Sequence, residues 1–156
     1  AYVYGPSAPD RMNDTLVASR ELGIALQLTN FVRDVLEDHR RGRLYLPLDL
    51  LRENSVDPDH MDDPQTRAFL IEVIHQVAAI AENHYSRAES GLDSFSPDCR
   101  VAIRACIDVY RALNRRIQNN PNCLENRESV PAHEKWHCLP ASKYWRIPLA
   151  MIMARI

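Results

Sequence analysis

The sequence predicts an all-α protein, and the distribution of proline and glycine carries that prediction. Ten prolines and four glycines occur in 156 residues, yet the stretches 10–46, 65–96 and 98–120 contain no proline. Because proline breaks helix interiors and glycine weakens them, long helices can form in these windows. Apolar residues recur there at helical spacing. We expect one domain over residues 1–156, since this length suffices for a buried core.

The first predicted helix begins at Asn13 or Asp14, because either side chain can cap a helix N-terminus. It runs to about Arg41, where Gly42 ends it. Residues 43–47 then form a short extended segment, followed by a brief helical stretch and a polar loop.

Two dipeptides, Asp63-Pro64 and Ser96-Pro97, each predict the start of a further long helix, with a capping side chain before a proline. Gly91 is expected to end the former helix, and the turn at residues 119–121 the latter.

The C-terminal part of the chain carries weaker signals. Residues 122–140 are expected to be rich in loops. A last helical piece is expected to start at Ser142 or Pro148, and it contains Trp145 and Ile152. This piece could rest on a membrane surface or pack against the helical core.

Charge and cysteine usage exclude several classes of protein. There are 19 Lys+Arg against 21 Asp+Glu, a formal net charge of -2, whereas a nucleic-acid binder is expected to be strongly basic. No apolar run reaches the roughly 20 residues that a membrane span needs. Four cysteines without a CxxC pair favour reduced thiols in a cytoplasmic protein: Cys99, Cys106, Cys123 and Cys138.

Five residues lie along one line of the first predicted helix and are called the polar stripe below: Gly23, Gln27, Asn30, Asp34 and Asp38. Apolar residues occupy most of the remaining circumference, and such a helix is normally buried. We therefore expect the stripe to be buried too. Two buried carboxylates one turn apart need a cation, and Mg²⁺ binds through one or two carboxylates, water and substrate phosphates. The stripe predicts a site for diphosphate and Mg²⁺ beside an apolar cavity.

Simpler interpretations of the charged residues are also open. Asp34 and Asp38 could be surface acids paired at helical spacing with Arg33, Arg41 or His39. The amides on the same line and the apolar remainder of the helix favour the metal site.

A small basic cluster follows the stripe. It comprises Arg40, Arg41 and Arg43. These residues could engage phosphate, or they could pair with Glu37 and the C-terminal end of the helix.

The segment that carries the stripe also carries a resemblance. Residues 23–38, GIALQLTNFVRDVLED, continue into RRGRLYLP at residues 40–47. Together they resemble the second aspartate-rich signature of the squalene and phytoene synthase family. A weaker resemblance includes Tyr110 and Arg127, which stand where the family has a phosphate-region tyrosine and an RVSV-like segment. The resemblance covers the C-terminal half of a family enzyme and implies part of the all-helical isoprenoid-synthase fold.

The resemblance implies head-to-head coupling of two prenyl diphosphates, either farnesyl or geranylgeranyl diphosphate. In the family, two facing aspartate-rich motifs hold magnesium, which draws off diphosphate and leaves an allylic cation. By match, Asp34 and Asp38 would be the catalytic Mg²⁺ ligands, with Mn²⁺ as the alternative ion. The match assigns substrate binding to five residues: Gln27, Asn30, Arg33, Tyr110 and Arg127.

The other half of such a site is expected N-terminal to this sequence. We therefore expect the chain to be a fragment that is inactive alone. Asp59 and Asp63 have the spacing of an aspartate pair, but they lie in a proline-bracketed loop in which Asp63 is better explained as a helix cap.

Several alternatives stay open at this point. A non-catalytic helical domain of the same fold could act in assembly or lipid binding, although it would have no reason to keep the stripe. The sequence shows no recognisable NADPH fingerprint, so both a reduced, squalene-type product and a phytoene-type product fit.

Overall fold

The computed structural model describes residues 5–61 and 63–139, and this part of the chain is built from helices. The helices are α1 Met12–Arg33, α2 Val35–Arg40, α3 Leu48–Glu53, α4 Pro64–Ser90, α5 Pro97–Asn119 and α6 Ala132–Cys138. The predicted all-α class is confirmed for the described residues. The expected last helix, with Trp145 and Ile152, lies outside them.

Three long helices form the body of the domain. Helix α1 packs along α4, which packs along α5, and α1 also touches α5 directly. The core falls into two apolar clusters, one around Leu70, Ile74 and Ile117 and the other around Tyr85 and Ile107. Burial of these side chains is the main force that holds the three helices together.

A buried polar network joins the three helices where the two clusters meet. The Thr29 hydroxyl lies 2.8 Å from the Tyr85 hydroxyl, and both residues are fully buried. Asn114, also fully buried, contacts Thr29 through its Oδ1 at 3.3 Å and donates from Nδ2 to the carbonyl of Ala78 at 2.8 Å. Since buried polar groups are costly without partners, the network favours one register of α1 against α4 and α5.

Ion pairs also link α4 to α5. The Arg111 guanidinium donates to Glu82 at 2.8 Å and to Glu89 at 2.7 Å. The Arg111 side chain is only 17% exposed, so the pairing also satisfies a largely buried cation.

Two of the predicted helix boundaries follow the expected chemistry. The Asp63 carboxylate accepts hydrogen bonds from the backbone N–H groups of Gln65 and Thr66, at 3.0 and 3.2 Å. Its role as the cap of α4 is therefore confirmed. Gly42 follows Arg41, the C-cap residue of α2, and ends the helical stretch. Its φ of +70° is a conformation in which a residue with a Cβ is strained.

The predicted start of the first helix is wrong in its detail. Helix α1 begins at Met12, with Arg11 at the N-cap position, so neither Asn13 nor Asp14 caps it. The Asp14 carboxylate instead accepts a hydrogen bond from the Arg11 side chain at 2.8 Å. A short 3-10 turn at Pro9–Arg11 leads into the helix and replaces the capping side chain.

The prediction of one helix from about residue 13 to Arg41 is also wrong. At Asp34 the backbone adopts φ -108° and ψ 12°, far from α-helical values. This residue separates α1 from α2 and lies within the polar stripe.

Residues 122–139 contain more helical structure than expected. Helix α6 spans Ala132–Cys138, and Pro131 occupies its N-cap position. An ion pair between Arg116 on α5 and Glu134 on α6 ties the two helices together.

Gly91 ends α4 as predicted, but for a different physical reason. Its φ is -91°, so no left-handed conformation is involved. A Cβ built at Gly91 would lie 2.6 Å from the Cβ of Ala18 on α1. The glycine is therefore required by the close approach of two backbones.

This contact predicts opposite effects of the same substitution at two glycines. Gly91→Ala is expected to lower the free energy of unfolding by about 1–3 kcal/mol through overpacking against Ala18. Gly23→Ala, inside α1 with no atom within 4 Å of the added Cβ, is expected to raise it by roughly 0.5–1 kcal/mol. Urea denaturation of both variants tests the pair, and a loss of stability in Gly23→Ala would contradict it.

Candidate functional site

The polar stripe continues through the break between α1 and α2. The backbone N–H of Asp34 donates to the carbonyl of Asn30 at 3.0 Å, and that of Asp38 donates to the carbonyl of Asp34 at 2.8 Å. These bonds preserve the i to i−4 pattern of a helix. The three side chains therefore lie on consecutive turns despite the break.

The expected burial of the stripe is wrong for its first part. Gly23 and Gln27 are exposed, and the three remaining stripe residues are half-buried. The buried residues of α1, such as Ala25 and Thr29, lie on the opposite side of the helix. Only that side contacts α4 and α5, so the stripe faces away from the described helix packing.

Asp34 is the most strongly engaged residue of the stripe. Its Oδ1 accepts hydrogen bonds from Arg33 Nε at 2.9 Å and Arg127 Nε at 2.7 Å, and its Oδ2 accepts one from Arg33 Nη2 at 2.5 Å. Partial burial raises the pKa of Asp34, but the bonds from the two arginines outweigh it and the pKa falls to about 2. The carboxylate is therefore ionised at any physiological pH.

The lowered pKa predicts a pH-dependent contribution of Asp34 to stability in the metal-free chain. Since the pKa falls from 3.8 to about 2 on folding, the contribution is complete above about pH 4 and is lost as pH falls towards 2. Its size is about 2 kcal/mol. Denaturation of the wild type and Asp34→Asn at pH 5 and at pH 2.5 tests this, and the difference in stability should shrink at the lower pH. Parallel pH profiles would contradict the prediction.

Arg127 reaches Asp34 from an anchored loop between α5 and α6. Asn120 Nδ2 donates to Glu128 Oε1 at 2.5 Å, and the Asn120 carbonyl lies 3.2 Å from His75 Nε2 on α4. Val130 is buried in the core at the far end of the loop. The fold therefore fixes the backbone that carries Arg127, although the Arg127 side chain is itself 61% exposed.

Asp34 lines a cleft of about 240 Å³, which is called the basic cleft below after its three arginines. Asp34, Arg33, Arg40 and Arg127 line it, together with apolar and acidic residues of α2 and the loop. Guanidinium groups bind phosphate oxygens through several hydrogen bonds at once. Three guanidinium groups around one cleft offer donors to a diphosphate, and a divalent cation would offset the carboxylates of Asp34, Glu37 and Glu125 in the same lining.

The basic cluster that follows the stripe divides between its two expected roles. Arg41 pairs with Glu37 at 2.7 Å, as a helix-end residue would. Arg40 instead lines the basic cleft. Arg43 is exposed.

The oxygen atoms of the stripe fit a hard divalent cation. Asn30 Oδ1 is buried and has no hydrogen-bond partner among the described residues, and the Asp38 carboxylate one turn beyond Asp34 is half-buried. Within residues 5–61 and 63–139, no three His, Cys, Asp or Glu side chains form a metal cluster. Two carboxylates suffice for Mg²⁺, which fills its remaining positions with water and phosphate oxygens.

A second, apolar groove lies between α1 and α5. Its volume is about 540 Å³, and its lining includes Leu22, Ala102, Ile103 and Cys106. Tyr110 lies one turn beyond Cys106 on α5 and packs against the second core cluster. The structure therefore places Tyr110 near the apolar groove and not in the lining of the Asp34 cleft.

Sequence reasoning missed the α5 side of this groove. Cys99, Ala102 and Cys106 are small residues without an obvious chemical role, and they recur at intervals of three and four on α5. That spacing next to Tyr110 is the signal that could have revealed a groove.

Among the described helices, none is both long and apolar enough to cross a membrane.

Comparison with a family model places this chain among known proteins. Residues 2–134 match the model described as "Squalene/phytoene synthase". The likeness therefore extends from the start of the chain into α6.

Individual relatives agree with this match. The "15-cis-phytoene synthase" of Enterobacter agglomerans is 35% identical over 133 residues, which are 85% of this chain and 45% of the relative. The "4,4'-diapophytoene synthase" of Staphylococcus haemolyticus is 33% identical over 118 residues, or 75% of this chain and 40% of the relative. The chain spans less than half the length of these relatives.

A solved structure confirms the fold. A crystal structure of a dehydrosqualene synthase in complex with ligand matches with a TM-score of 0.67 and 26% identity, over 89% of this chain and 50% of that one. The expected all-α isoprenoid-synthase fold is confirmed by this likeness.

Proposed function

Because the chain belongs to the squalene/phytoene synthase family, we propose that it forms the second aspartate-rich half of an enzyme that couples two prenyl diphosphates head to head. The observation that carries the proposal is the placement of Asp34 and Asp38 on consecutive turns, with Asp34 also lining a cleft that contains three arginines. The full activity belongs to the longer protein, since this chain spans 45% of the relative from Enterobacter agglomerans.

In the proposed site, the stripe holds the metal. Asp34 and Asp38 would provide carboxylate oxygens, and the unpartnered Oδ1 of Asn30 is a neutral oxygen on the same line. When bound, Mg²⁺ neutralises diphosphate and stabilises it as a leaving group. Gln27, exposed one turn before Asn30, would line the same site.

The basic cleft would hold the diphosphate itself. Arg33, Arg40 and Arg127 would donate hydrogen bonds to its oxygens and orient the carbon–oxygen bond that breaks. The electron pair of that bond leaves with the diphosphate and an allylic cation remains. Negative charge would develop on the diphosphate, where guanidinium groups of the loaded site would stabilise it.

The apolar groove would hold the hydrocarbon chain. Leu22 and Ile103 offer it only carbon atoms, and Cys106 a weakly polar thiol. Such a wall excludes water from the cation, which favours attack by the double bond of the second substrate over hydrolysis. Tyr110, one turn beyond Cys106, would extend this wall and contact the substrate there.

The alternative function is a non-catalytic domain of the same fold that acts in assembly or lipid binding. The exposed part of the stripe, Gly23 and Gln27, would then belong to a contact surface. The arrangement of Asp34 among arginines favours the enzyme, because a contact surface requires no half-buried carboxylate on the line of the Asn30 amide.

Metal dependence tests the proposed function. The longer enzyme that carries this sequence is expected to convert farnesyl or geranylgeranyl diphosphate only in the presence of Mg²⁺. Activity should disappear with EDTA and return when Mg²⁺ or Mn²⁺ is added in excess. Chain 1–156 alone is expected to release no diphosphate, since Asp34 and Asp38 form one of the two aspartate-rich motifs that the proposed reaction needs. Turnover that persists after metal removal would contradict the proposal.

A further inference from the structure

The carboxylate of Asp34 is crowded by arginine. Its Oδ1 accepts two hydrogen bonds and its Oδ2 accepts one, while an ionised carboxylate offers about four acceptor positions. A cation that binds through Oδ1 therefore competes with a guanidinium group that already lies there.

The two arginines differ in how easily they can leave. Arg33 is the neighbouring residue, binds both oxygens of Asp34 and has a side chain only 20% exposed. Arg127 makes a single hydrogen bond to Asp34, through Nε, and its side chain is 61% exposed. Moving Arg127 away from Asp34 breaks one hydrogen bond and leaves no buried cation. Its departure therefore costs less free energy than that of Arg33.

Arg127 remains beside the basic cleft when it departs. It lines that cleft together with Arg33 and Arg40, and the backbone of its loop is held by Asn120, Glu128 and the buried Val130. A diphosphate in the cleft would be a new acceptor for the same guanidinium group.

From this geometry we propose that Arg127 pairs with Asp34 while the site is empty and is transferred to the diphosphate when metal and substrate bind. The proposal rests on the proposed function, because it takes Asp34 as a metal ligand. Metal and Arg127 then compete for Asp34. Once the metal is bound, Arg127 is released from Asp34 and can bind the diphosphate. Arg127 is a positioning residue for the empty site and a diphosphate ligand in the loaded one.

The first test measures the metal alone. Binding of Mn²⁺ to chain 1–156 is followed by the electron paramagnetic resonance signal of the free ion. Arg127→Gln is expected to bind Mn²⁺ about three- to tenfold more tightly, because its competitor for Asp34 is gone. Arg40→Gln is the matched control, since it removes the same charge from the same cleft without a contact to Asp34. Its affinity is expected to change less than about twofold.

The second test measures the anion. With saturating Mg²⁺, calorimetric titration with inorganic diphosphate is expected to show about tenfold weaker binding in Arg127→Gln than in the wild type. One substitution would thus strengthen metal binding and weaken anion binding, a pair of effects that general loss of structure does not produce.

The outcomes separate this proposal from the proposed function. If Asp34→Asn abolishes Mn²⁺ binding but Arg127→Gln and Arg40→Gln bind it equally well, the transfer of Arg127 is wrong and the metal site stands. Unchanged diphosphate affinity in Arg127→Gln also overturns the transfer. If Asp34→Asn binds Mn²⁺ as the wild type does, the metal site is wrong and the transfer falls with it.

Discussion

Asp34→Asn is expected to lower the turnover of the enzyme that carries this sequence by at least about 100-fold. Asparagine keeps the size of the side chain but removes a negative charge and one metal-binding carboxylate oxygen. It also leaves Arg33 and Arg127 without their acidic partner. The measurement is kcat with farnesyl and with geranylgeranyl diphosphate at saturating Mg²⁺.

A second aspartate provides the control for this substitution. Asp49 lies on α3 with its side chain 90% exposed and pairs weakly with Arg52 at 3.4 Å. Asp49→Asn loses the same charge and is expected to leave turnover unchanged. Equal turnover in Asp34→Asn and the wild type would show that the metal role proposed for Asp34 is wrong.

The largest effect on stability is expected at Asn114, the centre of the buried polar network. Asn114→Ala removes the donor to the Ala78 carbonyl and the contact to Thr29, and it leaves a cavity between three helices. The free energy of unfolding is expected to fall by about 3 kcal/mol. Thermal unfolding should show a Tm lower by roughly 6–12 °C for a chain of this size.

Asn54 is the matched control for this variant. It also donates from its amide to a backbone carbonyl, that of Leu50 at 2.8 Å, but it is only half-buried. Asn54→Ala is expected to cost less than about 1 kcal/mol, because water can replace the lost bonds. Equal losses at Asn114 and Asn54 would contradict a special role for the network.

The long helices could be predicted from the sequence because their boundaries depend on local chemistry. Asp63, Pro64 and Gly42 each act within one turn of the chain, through a side-chain cap, a fixed φ or a left-handed conformation. The break at Asp34 could not be predicted in this way, since no proline or glycine marks it. Arg127, one of the two arginines that pair with Asp34, lies 93 residues further along the chain.

The candidate site could be predicted in its residues but not in its surroundings. The periodicity of α1 correctly places Asn30, Asp34 and Asp38 on one line. It does not say which side of the helix its neighbours cover, and the packing of α4 and α5 leaves Gly23 and Gln27 exposed. Partial exposure of a helix depends on tertiary contacts that a periodic pattern does not encode.

Contacts between distant parts of the chain could not be predicted from local sequence patterns. The pairing of Asp34 with Arg127 spans 93 residues, and the apolar groove joins Leu22 to residues near position 100. Family resemblance singled out Arg127, but only the fold shows that its partner is the proposed metal ligand.

The long separation of Asp34 and Arg127 also bears on how the protein is made. A ribosome adds about 5–20 residues per second, so roughly 5–19 seconds pass between the synthesis of the aspartate and that of its partner 93 residues later. During this interval α1 and α4 can already dock, while the acidic part of the site has no loop arginine beside it. Until Arg127 is synthesised, the neighbouring Arg33 is the arginine partner available to Asp34.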